Sequence, residues 1–350
     1  MPTSDRHQFA SDNTAAICPE AWAALTEANQ GAEVSYGEDH WTKKVGDLVR
    51  EIFETDCETF LVFNGTAANS LALAQLCQPF HSVICHERAH IETDECGAPG
   101  FFSGGVKLLP VSGQNGKIDL TAAAAVLARH RDVHSTKVRA ISVTQATEMG
   151  TVYSPNELEA VTAFAAEHSL ALHMDGARFA NAVASLGCKP REITWERGVQ
   201  VLSFGGTKNG LAAGELVVFF ERALALEFDY RAKQGGQLAS KNRFLAAPWT
   251  GLLANDVWLK NARQANEMAR RLEEKLRATG CQLAFPREAN ALFVHLPNEI
   301  AKKMQACGWH FYKFLEPDVY RLMCSWSVTE QQISDFTGDF HSSANLPTAV

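Results

Sequence analysis

The sequence predicts an α/β fold, in which a large domain with a mostly parallel, seven-stranded sheet precedes a small C-terminal α+β domain. Between about residues 58 and 220, short β-branched runs alternate with Ala- and Leu-rich stretches, as in successive βαβ units. A charged amphipathic stretch at 256–279 then predicts one long helix that bridges two domains. We therefore divide the chain into an N-terminal segment (1–50), a large domain (51–252) and a bridging helix with the small domain (253–350).

The elements follow from local patterns. Runs of β-branched and apolar residues predict the seven strands of the large domain at 59–63, 82–85, 107–111, 138–144, 170–174, 199–203 and 215–220. Helices are predicted between them at 66–77 and 120–129, and from the Ser154-Pro155 start signal to His168. After the bridging helix, which we expect to end at Gly280, the small domain has predicted strands at 292–296 and 319–324 and helices at 299–306 and 329–340.

Length and composition exclude several classes of protein. The 350 residues exceed the roughly 100–200 of one domain. No apolar stretch approaches the roughly 20 residues of a membrane-spanning helix, and a net charge of −8 offers no broad attraction to nucleic acid or anionic lipid. The nine cysteines form no Cys-x-x-Cys pair, and the first residues lack a secretory pattern. We expect a globular cytoplasmic protein with neither a nucleic-acid nor a membrane partner.

Polar residues follow three of the predicted strands, and ligands of open α/β sheets bind at the carboxyl ends of the strands. The first place is residues 64–69, Asn-Gly-Thr-Ala-Ala-Asn. Free N–H groups at the helix start, with the Thr66 hydroxyl, would hold a phosphate. Alternatively, Gly65 is only a turn glycine and Thr66 only a helix N-cap. The segment lacks the lysine of a Walker motif and the three glycines of a dinucleotide fingerprint.

The other two places are Asp175 and Lys208. A carboxylate at the end of a buried strand requires a hydrogen-bond or cationic partner, and Arg178 could form a purely structural ion pair with Asp175. Lys208 directly follows an apolar strand, among small residues that would let a bulky group approach, and desolvation would make its amine a nucleophile. The alternative is a surface lysine on an ordinary glycine loop.

Together the three places predict one cofactor. Pyridoxal 5′-phosphate (PLP) needs a cradle for its phosphate, a carboxylate to keep its ring nitrogen protonated and an amine to hold its aldehyde. Residues 65–66, Asp175 and Lys208 provide these groups in order along the chain. We expect PLP and no metal ion.

On these residues, the chain resembles the threonine aldolases, and within them the low-specificity L-threonine aldolases. The resemblance rests on residues 64–69, His90, residues 175–178 (Asp-Gly-Ala-Arg) and residues 207–210 (Thr-Lys-Asn-Gly), and extends from Ser11 to Arg321. It implies the aspartate-aminotransferase-like fold, which is fold type I of the PLP-dependent enzymes. It also implies retro-aldol cleavage of L-threonine, L-allo-threonine and other β-hydroxy-α-amino acids to glycine and an aldehyde.

The resemblance also implies roles for the residues that would hold the cofactor. The lysine matching Lys208 holds the cofactor covalently, and the aspartate matching Asp175 pairs with its ring nitrogen. Gly65 and Thr66 match the phosphate loop. The histidine matching His90 stacks on the cofactor ring and lies near the substrate hydroxyl, where it either removes the proton or positions a water molecule.

Further residues are implied to bind the substrate. Arg178 and Arg321 suit its carboxylate, because guanidinium offers two parallel donors; Arg178 also lies near the cofactor. Ser11 matches a residue near the same carboxylate. Asp94 stands where the aldehyde portion is recognised, at a position where relatives often carry an aromatic residue, and Glu95 follows it.

The resemblance implies a homo-oligomer, either a dimer or a tetramer, with shared active sites. Tyr36 belongs to a segment that reaches the site of a neighbouring subunit in this family. Lys233 and Lys241 are candidates for a basic group that completes the phosphate site from that neighbour, although the run between them lacks the family's usual Gly-Met-Arg.

Two other functions remain open from the sequence. One is a phenylserine aldolase or a related PLP-dependent β-eliminating lyase. The other is a zinc metalloprotease, because residues 86–90 formally match His-Glu-x-x-His. That motif binds zinc only on a helix. Here it directly follows an apolar run and precedes Gly97-Ala-Pro-Gly100, which disfavours a long helix.

Overall fold

The computed structural model describes residues 8–344, and in this part of the chain the larger of two sheets has seven strands. They are β1 (Glu58–Val62), β2 (His81–His86), β3 (Lys107–Val111), β4 (Lys137–Thr144), β5 (Ala171–Gly176), β6 (Val201–Phe204) and β7 (Glu215–Phe219). Their order is β1-β7-β6-β5-β4-β2-β3. Strand β7 is antiparallel to both neighbours, and the other adjoining strands are parallel. The predicted mostly parallel, seven-stranded sheet is confirmed.

Helices cover both faces of this sheet, because alternate strand residues enter two separate apolar cores. Ten α-helices precede the bridging helix in the described part of the chain. They are α1 (Pro19–Ala28), α2 (His40–Phe53), α3 (Gly65–Leu76), α4 (His90–Thr93), α5 (Ala98–Phe102), α6 (Leu120–Leu127), α7 (Pro155–Glu167), α8 (Phe179–Leu186), α9 (Phe228–Gln234) and α10 (Arg243–Leu253). None of the helices within residues 8–344 is long and apolar enough to cross a membrane.

The smaller sheet is antiparallel, with β8 (Ala291–His295), β9 (Tyr312–Leu315) and β10 (Val319–Met323) in the order β8-β10-β9. Helices α12 (Asn298–Ala306) and α13 (Glu330–Ala344) pack beside it. Helix α11 (Val257–Ala278) contacts α8 and α10 on one side and α13 and β8 on the other. This is the bridging position that its amphipathic sequence predicts.

The start of the described chain also belongs to the smaller core. Phe9 is 1% exposed, donates its N–H to the His310 carbonyl and accepts from the N–H of Met323. The first described residues pack with the small sheet, whereas α1 and α2 pack against α10. The three-part domain division stays a prediction, and residues 1–7 and 345–350 lie outside the described chain.

Most predicted elements occur within one to three residues of their expected positions, and α13 extends four residues further. Helices α1, α2, α4, α5, α8, α9 and α10 and strand β9 were not predicted. Helix α10 is hidden by Pro248 in its interior, which normally argues against a helix. Strand β9 has four residues and no buried position, so it lacks the apolar alternation by which strands are recognised.

Phe204, at the end of β6, is 1% exposed. It packs against the rings of Phe53, Phe179, Trp249 and Trp258. We expect Phe204→Ala to lower the free energy of unfolding by about 3–5 kcal/mol, because it leaves a cavity in a tightly packed aromatic cluster. Urea denaturation followed by circular dichroism measures this. Phe101→Ala, at a site that is 80% exposed, is the control, and an equal effect of the two changes would contradict the prediction.

Candidate active site

Two adjoining cavities open at the carboxyl ends of the parallel strands. The helix-end cavity, of about 320 Å³, lies at the amino end of α3 and is lined by Gly65, Thr66, Asp175 and Glu215 among others. The arginine cavity, of about 410 Å³, is lined by Ser11, Arg88, Asp94, Glu148, Arg178 and Arg321 among others. Asn13, His90 and Lys208 line both cavities. The two therefore form one continuous candidate site.

The amino end of α3 is suited to an anion. The Asn64 side chain caps the helix by accepting from the Ala67 N–H at 2.9 Å, so the interpretation of Thr66 as the N-cap is wrong. The N–H groups of Gly65 and Thr66 have no partner within residues 8–344, and a Cβ on Gly65 would meet nothing within 4 Å. Unpaired N–H groups facing open space at the positive end of a helix are a ready anion site.

Asp175 lies near the end of β5 and is 3% exposed. Its Oδ1 accepts from the Ala177 N–H at 3.0 Å, and its Oδ2 accepts from Asn69 Nδ2 at 2.8 Å. Arg178 does not pair with it. The purely structural Asp175–Arg178 ion pair is therefore wrong, and the carboxylate faces the helix-end cavity without a salt bridge to any described residue.

Arg178 pairs instead with the buried Asp12. Its Nε and one Nη donate to the two carboxylate oxygens at 2.7 and 2.9 Å. Although burial raises the pKa of Asp12, Arg178, Lys208 and Asn290 together lower it below its usual value. Asp12 thus neutralises one arginine of the site and orients its guanidinium.

Lys208 lies in a 3₁₀ turn (Thr207–Asn209) directly after β6 and lines both cavities. The surface-lysine alternative is therefore wrong. Burial lowers the pKa of Lys208, and Arg178 lowers it further, while three carboxylates, those of Asp12, Asp175 and Glu215, partly offset the shift. A lowered pKa increases the fraction of neutral amine, which is the nucleophilic form.

The glycines before Lys208 serve packing within the protein. A Cβ on Gly205 would lie 2.5 Å from the Ala177 carbonyl oxygen, and one on Gly206 would lie 2.5 Å from the Trp249 ring. The expectation that these small residues admit a bulky ligand is thus corrected, since the protein itself fills the space. Glu215 holds the same loop by accepting from the N–H groups of Gly206 and Thr207.

His90 belongs to a buried network that ends at Asp175. Its Nδ1 lies 2.8 Å from Glu95 Oε1, and Asn69 Nδ2 donates to both Glu95 Oε1 and Asp175 Oδ2 at 2.8 Å. The bond with Glu95 raises the pKa of His90, against the effect of burial. Burial raises the pKa of Glu95, and His90 and Asn69 only partly offset this.

The zinc-protease geometry is not formed. His86 is the last residue of β2, and His90 begins α4, so the two rings do not share a helical face. His86 Nδ1 accepts from the Arg88 N–H, and its Nε2 contacts the Gly113 carbonyl. Within the described ranges, no group of three or more His, Cys, Asp or Glu side chains is arranged to hold a metal ion.

Arg321 provides an incompletely paired cation in the arginine cavity. One Nη donates to the Ala10 carbonyl at 2.9 Å, and the guanidinium lies 4.6 Å from the centre of the Tyr312 ring. Its Nε is buried and has no partner among the described residues. Burial, and then Arg178, lower the pKa of Arg321 to about 10, which Asp12 and Asp94 partly offset. Such a group favours an anionic ligand.

Ser11 and Asp94 also line the arginine cavity. Ser11 Oγ accepts from the Asn13 N–H at 3.2 Å, so the hydroxyl also caps the short 3₁₀ turn that contains Asp12. Asp94 is exposed at the end of α4 and accepts from the Thr93 hydroxyl at 3.2 Å.

Three predicted residues lie outside both cavities: Tyr36, Lys233 and Lys241. All three are exposed, and Lys233 Nζ lies 4.5 Å from the centre of the Tyr36 ring. The Tyr36 N–H donates to the Ser240 carbonyl, next to Lys241. The chain thus gathers them into one exposed cluster, which we call the Tyr36 cluster.

Several site residues were missed or received no role from the sequence. They are Asp12, Asn69, Glu95, Glu148 and Glu215. Glu148 could have been predicted from the sequence. It follows the predicted strand at 138–144, and the carboxyl end of that strand lies at the same edge of the sheet as the ends of the other three strands.

Comparisons with known proteins agree over nearly the whole chain. The sequence model of the beta-eliminating lyase family matches residues 8–299. The low-specificity L-threonine aldolase of Pseudomonas aeruginosa is 54% identical over 338 residues, which cover 96% of this chain and 98% of that protein. A protein of the same name from a Pseudomonas species is 52% identical, covering 97% and 99%. Among solved structures, a threonine aldolase of Leishmania major has a TM-score of 0.91 at 27% identity and covers 96% of this chain and 99% of that one.

The His90–Glu95 pair gives a pH prediction. Because the pair raises the pKa of His90, its stabilising contribution is present below the usual histidine pKa and is lost as the pH rises through the raised value. We expect Glu95→Gln to lower the pKa of His90, as measured by NMR of labelled histidine rings. Glu92→Gln, on the exposed side of α4, should leave it unchanged, and an unaltered titration in Glu95→Gln would disprove the coupling.

Proposed function

Since the chain belongs to the beta-eliminating lyase family and, within it, to the low-specificity L-threonine aldolases, we propose that its two cavities hold PLP and a β-hydroxy-α-amino acid. The protein is a lyase that cleaves threonine by a retro-aldol reaction to glycine and an aldehyde. We extend its substrates to L-allo-threonine and other β-hydroxy-α-amino acids. The observation that carries the proposal is that Lys208 and Asp175 line one cavity at the amino end of α3.

The residues of the helix-end cavity fit PLP. The unpaired N–H groups of Gly65 and Thr66 suit its phosphate, the Asp175 carboxylate suits its ring nitrogen, and the Lys208 amine suits its aldehyde. His90, at the junction of the two cavities, suits a position against the ring. When bound, PLP provides an electron sink for the pair released as the substrate Cα–Cβ bond breaks.

The arginine cavity suits the amino acid. Arg321 has a buried Nε without a partner among the described residues, whereas Arg178 already gives two donors to Asp12. We therefore assign the main charge contact with the substrate carboxylate to Arg321, and an orienting contact to Arg178 and Ser11. Asp94, exposed at the cavity rim, is placed to meet the aldehyde portion of the substrate.

The decisive experiment replaces Lys208 in the PLP-loaded protein. We expect Lys208→Ala to lose the visible absorption of the bound cofactor and at least about 10³-fold in glycine formation, because the covalent attachment and its amine are both absent. Glycine and aldehyde are measured from L-threonine, L-allo-threonine and phenylserine. Lys302→Ala, at a side chain that is 71% exposed, should behave like the unmodified protein.

The same assay distinguishes the related reactions. Ammonia and an oxo acid in place of glycine and an aldehyde would identify a β-eliminating lyase. Cleavage confined to phenylserine would identify a phenylserine aldolase. Glycine formation that survives Lys208→Ala would refute the assignment of this lysine.

We also propose that the protein is a homo-oligomer in which the Tyr36 cluster completes the phosphate site of a neighbouring subunit. Its lysines lie outside both cavities of their own chain, and Lys233 already contacts an exposed aromatic ring. Exposed cationic side chains are available to an anion held by another subunit.

We further assign the protein to the cytoplasm, which agrees with nine free thiols.

Mixed oligomers test this sharing. Co-expression of Lys208→Ala with a Tyr36→Ala/Lys233→Ala double variant should give mixed dimers with about half of the glycine formation of the unmodified enzyme, because each mixed dimer rebuilds one intact site of its two. Tandem-tag purification isolates the mixed species. As a control, Lys208→Ala mixed with Asp175→Asn should stay inactive, since both changes damage the chain's own cavity. Absence of recovery in the first mixture would contradict shared sites.

A further inference from the structure

Glu148 is a carboxyl group in the arginine cavity that the reaction described so far does not use. It lies four residues after the end of β4. Its Oε1 accepts from the His90 N–H at 2.8 Å and from the Thr144 hydroxyl at 2.9 Å. Its Oε2 is buried and has no hydrogen-bond partner among residues 8–344. A buried carboxyl oxygen without a partner is unfavourable unless a proton or a ligand satisfies it.

The surroundings of Glu148 contain no direct cationic partner among the described residues. Burial, and then the charge of Asp175, raise its pKa to about 7. The ionisable groups that act on Glu148 or on which it acts are Asp175, Arg178, Cys85 and Tyr153, and the His90 backbone N–H also donates to it. Across the cavity stand Arg88, Asp94, Lys208 and Arg321. A carboxyl group in this environment gains and loses a proton near neutral pH, which suits acid–base catalysis.

His90 is less suited to accept a proton. Its Nδ1 lies 2.8 Å from the fully buried Glu95 carboxylate, and this bond raises the pKa of the ring. The ring is therefore biased toward its protonated form, which donates hydrogen bonds at both nitrogens. The two groups differ in chemistry although both line the same cavity: His90 is a donor, and Glu148 is an acceptor.

We propose, on the premise of the proposed function, that the Glu148 carboxylate removes the proton of the substrate β-hydroxyl. The O–H bond breaks and its electron pair forms the aldehyde C=O bond as the Cα–Cβ bond breaks, and the glycine α-carbon then gains one proton; PLP, held by Lys208 and Asp175, would supply the sink for the pair released at Cα. The protons balance, because Glu148 takes one proton from the substrate hydroxyl and the glycine α-carbon gains one proton. His90 then orients the hydroxyl as a hydrogen-bond donor.

Glu148→Gln in the PLP-loaded enzyme tests the proposal, because an amide oxygen can keep the bonds from His90 N–H and Thr144 but cannot take a proton. We expect kcat for threonine cleavage to fall by about 10²–10⁴-fold with little change in KM. The visible cofactor absorption should persist. Exchange of the α-protons of glycine with deuterium oxide, measured by NMR, should also persist, because glycine has no β-hydroxyl.

The pH profile provides a second measurement. In the unmodified enzyme, kcat/KM should fall on the acid side as Glu148 becomes protonated, with an apparent pKa of about 7, and this limb should be absent in Glu148→Gln. Infrared difference spectra of the substrate-free protein should show one carboxyl band that titrates in the same range and disappears in the variant. Glu159→Gln, an exposed change on α7, should preserve both features.

The outcomes separate this inference from the proposed function. Threonine cleavage by Glu148→Gln within about threefold of the unmodified enzyme, with the acid limb intact, would overturn the role of Glu148 and leave the aldolase function standing. Equal losses of threonine cleavage and glycine exchange would also overturn it, since the defect would not be specific to the β-hydroxyl. Absence of cleavage by the unmodified enzyme would instead refute the proposed function.

Discussion

The site depends on satisfying several charged groups inside the protein at one edge of a sheet. Asp175 near the end of β5 and Lys208 in the turn after β6 lie at adjacent strands, and each would be unfavourable there without compensation. Asn69 satisfies one oxygen of Asp175, and Asp12 balances both Arg178 and Lys208. Several buried atoms near the site have no described partner: Arg321 Nε and Glu148 Oε2 belong to residues that line the arginine cavity, and Asn69 Oδ1 and Glu95 Oε2 belong to the network beside His90. Two of these incompletely paired residues, Arg321 and Glu148, thus line the space proposed for a substrate.

The compensating groups come from distant parts of the chain. Asp12 and Arg178 are 166 positions apart, and Asn290, which donates to the same aspartate at 3.1 Å, is 278 positions from it. The first described residues contact both parts of the chain, because Phe9 pairs with the small sheet while Asp12 pairs with Arg178, two residues after β5 of the large sheet. Ala10 and Asp12 thus connect the first described residues to Arg321 and Arg178, which both line the arginine cavity.

The sequence was sufficient to predict the large sheet and the polar residues that share a cavity at its strand ends, because β-branched runs and polar residues at strand ends are local signals. It was not sufficient for the pairing of charges. Arg178 is three residues from Asp175, yet the structure pairs it with Asp12, since loop direction at the strand end decides which carboxylate the guanidinium reaches. Nor could spacing reveal that Gly205 and Gly206 accommodate Ala177 and Trp249 instead of a ligand. The partners of His90 and Glu148, on which the proposed division of their roles rests, depend on burial and on contacts that only the folded geometry provides.

The segment around Phe9 to Asn13 has a practical consequence for protein engineering. It forms one wall of both cavities through Asn13, a backbone anchor for Arg321 through Ala10, and the counter-charge for Arg178 through Asp12. A chimera that kept only the large sheet of this enzyme would lose all three contributions at once. Grafting the cavity onto another scaffold would require at least three separated stretches of sequence to be transplanted together.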